Sequence, residues 1–195
     1  NTSKMDSWIL SDKPLLSMQN LHINCDGICT EAHLIASPNV DERPQQEISL
    51  IVIHNISLPP NQYGGEGVIE LFTNTLNPET HPYYAEIAHL KVSSHFFIRR
   101  DGSLIQFASC LARAWHAGVS NWQRRERCND FSIGIELEGS DFEAFEPHQY
   151  ETLKSLINAL KQAYPIQAIT GHSDIAPDRK TDPGPYFDWS LIKTE

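Results

Sequence analysis

The run Phe131-Ser-Ile-Gly-Ile-Glu-Leu-Glu138 alternates apolar and polar residues without a break, and it constrains the fold more than any other stretch of the chain. Successive side chains of a strand point to opposite faces. Phe131, Ile133, Ile135 and Leu137 are therefore predicted to share one face, and Ser132, Gly134, Glu136 and Glu138 the other. One face packs; the other carries carboxylates. Ile48-Ser-Leu-Ile-Val-Ile53 is a second run of strand length, rich in β-branched residues, and reads as a buried central strand ending at His54.

The remaining elements fit around these two. Ser94 to Phe107 reads as a hairpin about Asp101-Gly102. From Pro147 to Tyr164 the residues Tyr150, Leu153, Leu156, Ile157, Leu160 and Tyr164 trace one side of a helix, with Pro147 suited to its first turn. Ile166 to Thr170 is a last strand that delivers Gly171 and His172. Residues 58–65 form a turn-rich loop, 67–76 a short amphipathic helix and 77–90 a second loop; together 58–90 are expected to build a wall or lid of a binding site. Residues 1–46, rich in Pro, Ser, Asn and Asp, should wrap the domain as loop and short strand. Strands mixed with helices, by hairpin and by helical connection, imply an α/β or α+β domain with a central mixed sheet flanked by helices. The chain of 195 residues is long enough to bury a core without staples. Residues 1–4 read as a cloning remnant before a native start at Met5, leaving 5–195 as one domain.

Composition excludes several partners. The formal charge is −10, which leaves no basic face for a phosphate backbone, so nucleic acid is excluded. No run of 18 apolar residues exists and the N-terminus lacks the pattern of an export signal, so no membrane contact is expected. Cys25, Cys29, Cys110 and Cys128 are spaced too irregularly for a disulfide framework, and Cys25 and Cys29 read as ordinary thiols. A cytoplasmic monomer is the expectation.

The chemistry concentrates in His54 and in the run Gly171-His-Ser-Asp-Ile-Ala-Pro-Asp-Arg-Lys-Thr-Asp-Pro-Gly-Pro185. His54, His172 and Asp182 offer two imidazoles and a carboxylate, a donor set suited to Zn²⁺. Three protein ligands leave the fourth tetrahedral position open, as in a catalytic site. Such a site needs a carboxylate to move a proton and a cation to face a developing oxyanion. Glu136, on the polar face of a central strand, fits the first role, and Lys180 the second. Each residue also has an ordinary reading: a histidine after a strand as a hydrogen-bonded surface residue, an Asp before Pro as a turn former, Glu136 and Lys180 as solvated charges. Spacing alone leaves both readings open.

The runs at 52–60, 81–102, 113–139 and 171–185 closely resemble the cytoplasmic AmpD-type N-acetylmuramoyl-L-alanine amidases, and the likeness extends from about Trp8 to Trp189. The resemblance implies the amidase-2 fold shared with peptidoglycan recognition proteins and phage amidase lysozymes. It implies Zn²⁺ on His54, His172 and Asp182, with Glu136 and Lys180 as catalytic residues. It also implies a substrate, the lactyl–L-alanine amide of soluble 1,6-anhydro-muropeptides in cell-wall recycling, with an indirect effect on β-lactamase induction. In its light Trp115 looks like a sugar-contacting edge and Asn55 a holder of substrate amide groups. Arg127, and with them Lys91 and Arg100, look like receivers of stem-peptide carboxylates; Lys91 stands where an Arg is expected, and Lys makes a poorer fork. Tyr83 and His95 look like supports around the site. Two rival functions are a non-catalytic muropeptide-recognition module, which should show a broken ligand set, and an amidase of the same fold acting on intact murein, which should carry an export signal or wall-binding appendage.

Overall fold

The computed structural model describes residues 20–192; the expected start at Met5 lies outside the described residues. In chain order the elements are β1 (His33–Leu34), β2 (Val40–Glu42), β3 (Leu50–Ile56), α1 (Gly67–Phe72), α2 (Pro82–Ile87), β4 (Phe96–Ile98), β5 (Leu104–Gln106), β6 (Ala112–Ala114), β7 (Asn121–Trp122), β8 (Arg125–Glu126), β9 (Ser132–Glu138), α3 (Pro147–Ala163), β10 (Ala168–Gly171) and α4 (His172–Ile175). Six strands make one mixed sheet in the order β1-β5-β4-β9-β3-β10. Its pairs are parallel except β4 with β5, the predicted hairpin. The expected α+β class, a mixed sheet flanked by helices, is what the chain adopts.

The centre of the sheet is covered on both sides, as parallel strands require. All of β9 and the first five residues of β3 are buried. On one face Ile51, Ile53, Ile133, Ile135 and Leu137 pack under α3 through Leu153, Leu156 and Leu160. The helix is held at its start by Pro147 and by Gln149, whose side-chain oxygen accepts from the Glu146 N–H at 2.9 Å. Gln149 is itself buried and donates through Nε2 to the carbonyls of Ile98 and Glu138, which ties α3 to the ends of β4 and β9.

The other face is divided. Over β4 and β5, Phe97 and Ile105 pack with Phe107 against Leu58, Val68, Leu71, Phe72, Leu76 and Tyr84. Residues 58–90 thus contribute core side chains here. Over β3, β9 and β10 the same face carries Leu50 and Val52, then His54 and Glu136, and it is here that the polar residues gather.

Three local expectations need correction. Phe131 does not share the face of Ile133: residues 128–130 form a tight 3-10 turn, so strand alternation begins only at Ser132, and Phe131 packs with Leu50, Val52, Cys128 and Ile175. His54 is not at the end of its strand, because β3 continues to Ile56 alongside β9. Residues 82–87, expected as loop, form α2. Pro82 stands at its first turn, where proline is favoured, and the His81 ring accepts from the Tyr83 N–H at 3.1 Å. All four cysteines are free thiols, three of them buried. Among the described residues no helix is long and apolar enough to cross a membrane.

Candidate metal centre and active site

Three neighbouring strands bring the site together. Glu136 on β9 lies in register with His54 on β3, and β10, paired to the far side of β3, ends at Gly171 and hands the chain to His172. Asp182 arrives from the loop after α4. Ser173 N–H donates to the Asp182 carbonyl at 2.9 Å, and Asn55 Nδ2 donates to the Pro183 carbonyl at 3.0 Å. Asn55 Nδ2 also donates to Asp141 at 2.7 Å, while the Thr181 hydroxyl donates to the other oxygen of the same carboxylate. Asp141 therefore ties the loop that carries Asp182 to Asn55 on β3.

His54 Nδ1, His172 Nδ1 and Asp182 Oδ2 face one point, 3.0, 3.1 and 3.2 Å from one another. Donors around a tetrahedral Zn²⁺ at about 2.0–2.2 Å stand roughly 3.3 Å apart, so the triangle fits that ion with little adjustment. The hydrogen bonds behind the ligands agree. His172 Nε2 lies 2.9 Å from the Ala117 carbonyl, which can only accept, so the proton sits on Nε2 and the Nδ1 lone pair is free for a metal. These three residues are the one group of metal-ligating side chains of this kind among the described residues.

The electrostatics separate two carboxylates. Burial alone would push Asp182 up, but the adjoining imidazoles of His172 and His54 pull it far below the usual carboxylate range. Burial pushes Glu136 well above its ordinary value, Asp182 adds to the rise, and Lys180 opposes it. Glu136 Oε1 stands 3.9 Å from His54 Nδ1, and among the described residues its Oε2 is buried without a hydrogen-bond partner. A buried carboxylate oxygen with no partner is costly, and such groups cluster where a proton must move. Burial also pushes His54 down to about 4, against the pull of Asp182. Lys180, half-buried, acts on both His54 and Glu136 through its charge.

The remaining sequence candidates are placed differently from one another. Arg127 and Lys91 are exposed, and Arg127 sits in a left-handed backbone conformation at φ 58°. Trp115, half-buried, follows β6, and its backbone is tied to Ser93; Tyr83 is exposed in the first turn of α2. Asn55 is beside the site, but its amide nitrogen is engaged by Asp141 and Pro183, which leaves only Oδ1 for a substrate. Arg100 is not free: it stacks on Tyr63 at 4.7 Å and bonds Glu146 at 2.9 Å. His95 is fully buried, accepting from Gly134 N–H through Nδ1 and facing the Ala112 carbonyl through Nε2.

Sequence reasoning missed three residues. Asp141 carried no motif. Arg43, buried, donates to the carbonyls of Cys110, Asn129, Asp130 and Ser132 and so binds the strand entry of β9 to two loops. His116 Nδ1 lies 2.9 Å from His54 Nε2, on the side of that ring away from His172 and Asp182; its signal was its place beside Trp115 in the run Arg113-Ala-Trp-His-Ala-Gly118.

Residues 44–185 match the family described as N-acetylmuramoyl-L-alanine amidase. The chain belongs to that family. It is 57% identical over 170 residues to the 1,6-anhydro-N-acetylmuramyl-L-alanine amidase AmpD of Salmonella typhimurium, covering 86% of this chain and 91% of the relative. A crystal structure of a selenomethionine AmpD derivative superposes with a TM-score of 0.84 at 55% identity, over 86% of this chain and 95% of that one. The Escherichia coli amidase AmiD, solved with anhydro-N-acetylmuramic acid-L-Ala-D-γ-Glu-L-Lys, matches at TM-score 0.56 and 27% identity, over 89% of this chain and 64% of that one. The chain is an amidase of this family, and its mixed sheet is the fold of these relatives.

Proposed function

We propose that this amidase is zinc-dependent and hydrolyses the lactyl–L-alanine amide of soluble 1,6-anhydro-muropeptides in the cytoplasm, as a monomer, in peptidoglycan recycling; the build-up of uncleaved muropeptides on its loss would favour β-lactamase induction. The observation that carries the reading is the convergence of His54, His172 and Asp182 on one point, with the unpartnered carboxylate of Glu136 beside them. The names of the AmpD relatives and the muropeptide in the AmiD structure support the substrate.

His54, His172 and Asp182 would hold the ion. When bound there, Zn²⁺ supplies the Lewis acidity that activates a water and polarises the amide carbonyl. Glu136 takes the proton from the attacking water at its buried carboxylate and passes it to the leaving L-alanine nitrogen. Its raised affinity for a proton suits both halves of that transfer, and the positive charge of Lys180 keeps the ionised form within reach. Lys180 also faces the oxygen on which negative charge develops. Trp115 provides a flat surface for the sugar, and Arg127 and Lys91 receive carboxylates of the stem peptide, with Tyr83 and His95 as supports. Residues 58–90 form a wall of the cleft within a single domain, a role supported by their packing against Phe97, the register partner of Glu136.

The test is mass-spectrometric detection of amide cleavage in anhydro-muramoyl-tripeptide by the purified protein, as isolated, after chelation, and with zinc restored, beside intact sacculi. Zinc-dependent cleavage of the soluble substrate that spares sacculi is expected. Binding without cleavage would move the chain to the recognition class, and cleavage of sacculi to the murein amidases.

A further inference from the structure

Resting on the zinc reading above, we propose that His116 is a positioning residue that presents His54 Nδ1 to the metal, anchored by Ser132 and accommodated by Gly134. An imidazole ligates only through a nitrogen that carries no proton. His54 turns Nδ1 toward His172 and Asp182, so its proton must reside on Nε2. That ring is 1% exposed, and a buried N–H without an acceptor is costly. Among the described residues the group at hydrogen-bond distance from His54 Nε2 is His116 Nδ1, at 2.9 Å, with the two rings nearly perpendicular.

The two metal histidines are thus held by different devices. His172 donates to a backbone carbonyl, which is an acceptor in every state. His54 donates to another imidazole, which accepts at Nδ1 only while its own proton is on Nε2. His116 Nε2 lies 3.0 Å from Ser132 Oγ, and a hydroxyl can accept that proton. A His116 that accepts from His54 at Nδ1 must carry its own proton on Nε2, and Ser132 Oγ is placed to accept it.

The strand is shaped for this. Ser132, Gly134 and Glu136 are alternate residues of β9 and share its polar face. A Cβ at position 134 would collide with the His116 ring, so only glycine lets the imidazole lie against the strand and span from Ser132 to His54. One face of one strand carries the proton-transfer carboxylate, the gap for His116 and the hydroxyl that orients it.

The experiment measures zinc affinity of the metal-stripped full chain by competition with a chromophoric chelator, with circular dichroism to confirm folding. His116→Leu keeps bulk and removes the acceptor; about a 10- to 100-fold loss of zinc affinity is expected, the usual effect of removing a residue that orients a metal ligand. His116→Asn places an amide oxygen near the position of Nδ1 and is expected to restore affinity to within about threefold of wild type, because an acceptor is again present. A Leu variant that binds zinc like wild type overturns the proposal, and so does an Asn variant that loses as much as Leu, since the acceptor would then not be what matters. Should the Leu variant not fold, Ser132→Ala decides: reduced affinity supports the proposal and unchanged affinity overturns it. A wild-type chain that takes up no zinc removes the zinc reading itself, and the control distinguishes that failure from a failure confined to His116.

Discussion

The two faces of β9 are both buried, yet they are built on different principles. Ile133, Ile135 and Leu137 are fully enclosed under α3, where contacts are non-directional and any side chain of the right volume serves. Ser132, Gly134 and Glu136 face polar neighbours, where each group depends on a named partner: Ser132 on His116, the Gly134 N–H on His95, and Glu136 on the charges around it. The difference teaches where function resides. On the apolar face the contacts are satisfied by packing, whereas on the polar face one carboxylate oxygen is left, among the described residues, without a partner beside His54, His172 and Asp182.

The comparison can be broken most sharply at Glu136. Glu136→Gln keeps the shape and removes the proton acceptor, so turnover is expected to fall by about 10²- to 10⁴-fold. Zinc content, measured by elemental analysis, should stay at wild-type level, and the melting temperature should hold or rise because a buried carboxylate without a partner has gone. Near-full activity with zinc unchanged would show that the polar face is not where the proton moves.

The apolar face should answer in stability alone. Leu153→Ala in α3 leaves a cavity under the sheet and is expected to cost about 2–5 kcal/mol in urea unfolding. At temperatures where the variant stays folded, kcat/KM should match wild type. A catalytic defect there would mean that α3 transmits packing strain through β9 to Glu136, and the two faces would not be separable.

This division explains what could be read from the sequence. Periodicity exposed β9, β3, the hairpin and α3, because a strand or helix buried on an apolar face writes its period into the chain. It failed at Phe131, where a short 3-10 turn resets the phase, and at α2, where Pro82 begins a helix instead of breaking one. His54, His172, Asp182 and Glu136 could be nominated from residue chemistry, and the structure brings them together. Asp141, Arg43 and the contact of His116 with His54 could not, because their partners lie 40 to 89 residues away or are backbone carbonyls, which leave no mark on composition. The same holds for Asn55, whose amide is turned toward Asp141 and Pro183 by a contact that no local pattern encodes.

Acid sharpens the comparison further, because the polar face contains buried histidines and the apolar face none. Burial and the neighbouring Arg43 charge push His95 down to about 3 in the folded protein. In the unfolded chain a histidine titrates near 6.5. The native state therefore refuses a proton that the unfolded chain accepts, so the stability tied to a neutral His95 is complete above about pH 6.5 and is lost as pH falls toward 3, at about 1.4 kcal/mol per unit. His54 and His116 contribute in the same direction in zinc-free protein. His95→Asn, which retains an acceptor for the Gly134 N–H, is expected to flatten the fall of melting temperature between pH 6 and pH 4 by about one proton's worth of slope. An unchanged slope would show that His95 does not remain neutral in the fold.

The smallest expected effect lies outside both faces, at Arg127. Its backbone stands at φ 58° just before the turn that leads into β9, and its side chain is exposed. If the polar face of β9 performs the chemistry and loops only hold the substrate, removing this guanidinium should weaken ground state and transition state alike. Arg127→Ala is then expected to raise KM about tenfold, near 1.4 kcal/mol, with kcat unchanged, the signature of uniform binding. The carboxylate it serves can be found with the same kinetics, since a substrate whose stem-peptide carboxylate is amidated should lose the difference between wild type and variant. A fall in kcat with KM unchanged would instead place Arg127 in the transition state, and the division between a reacting strand face and a binding loop would have to be redrawn to include it.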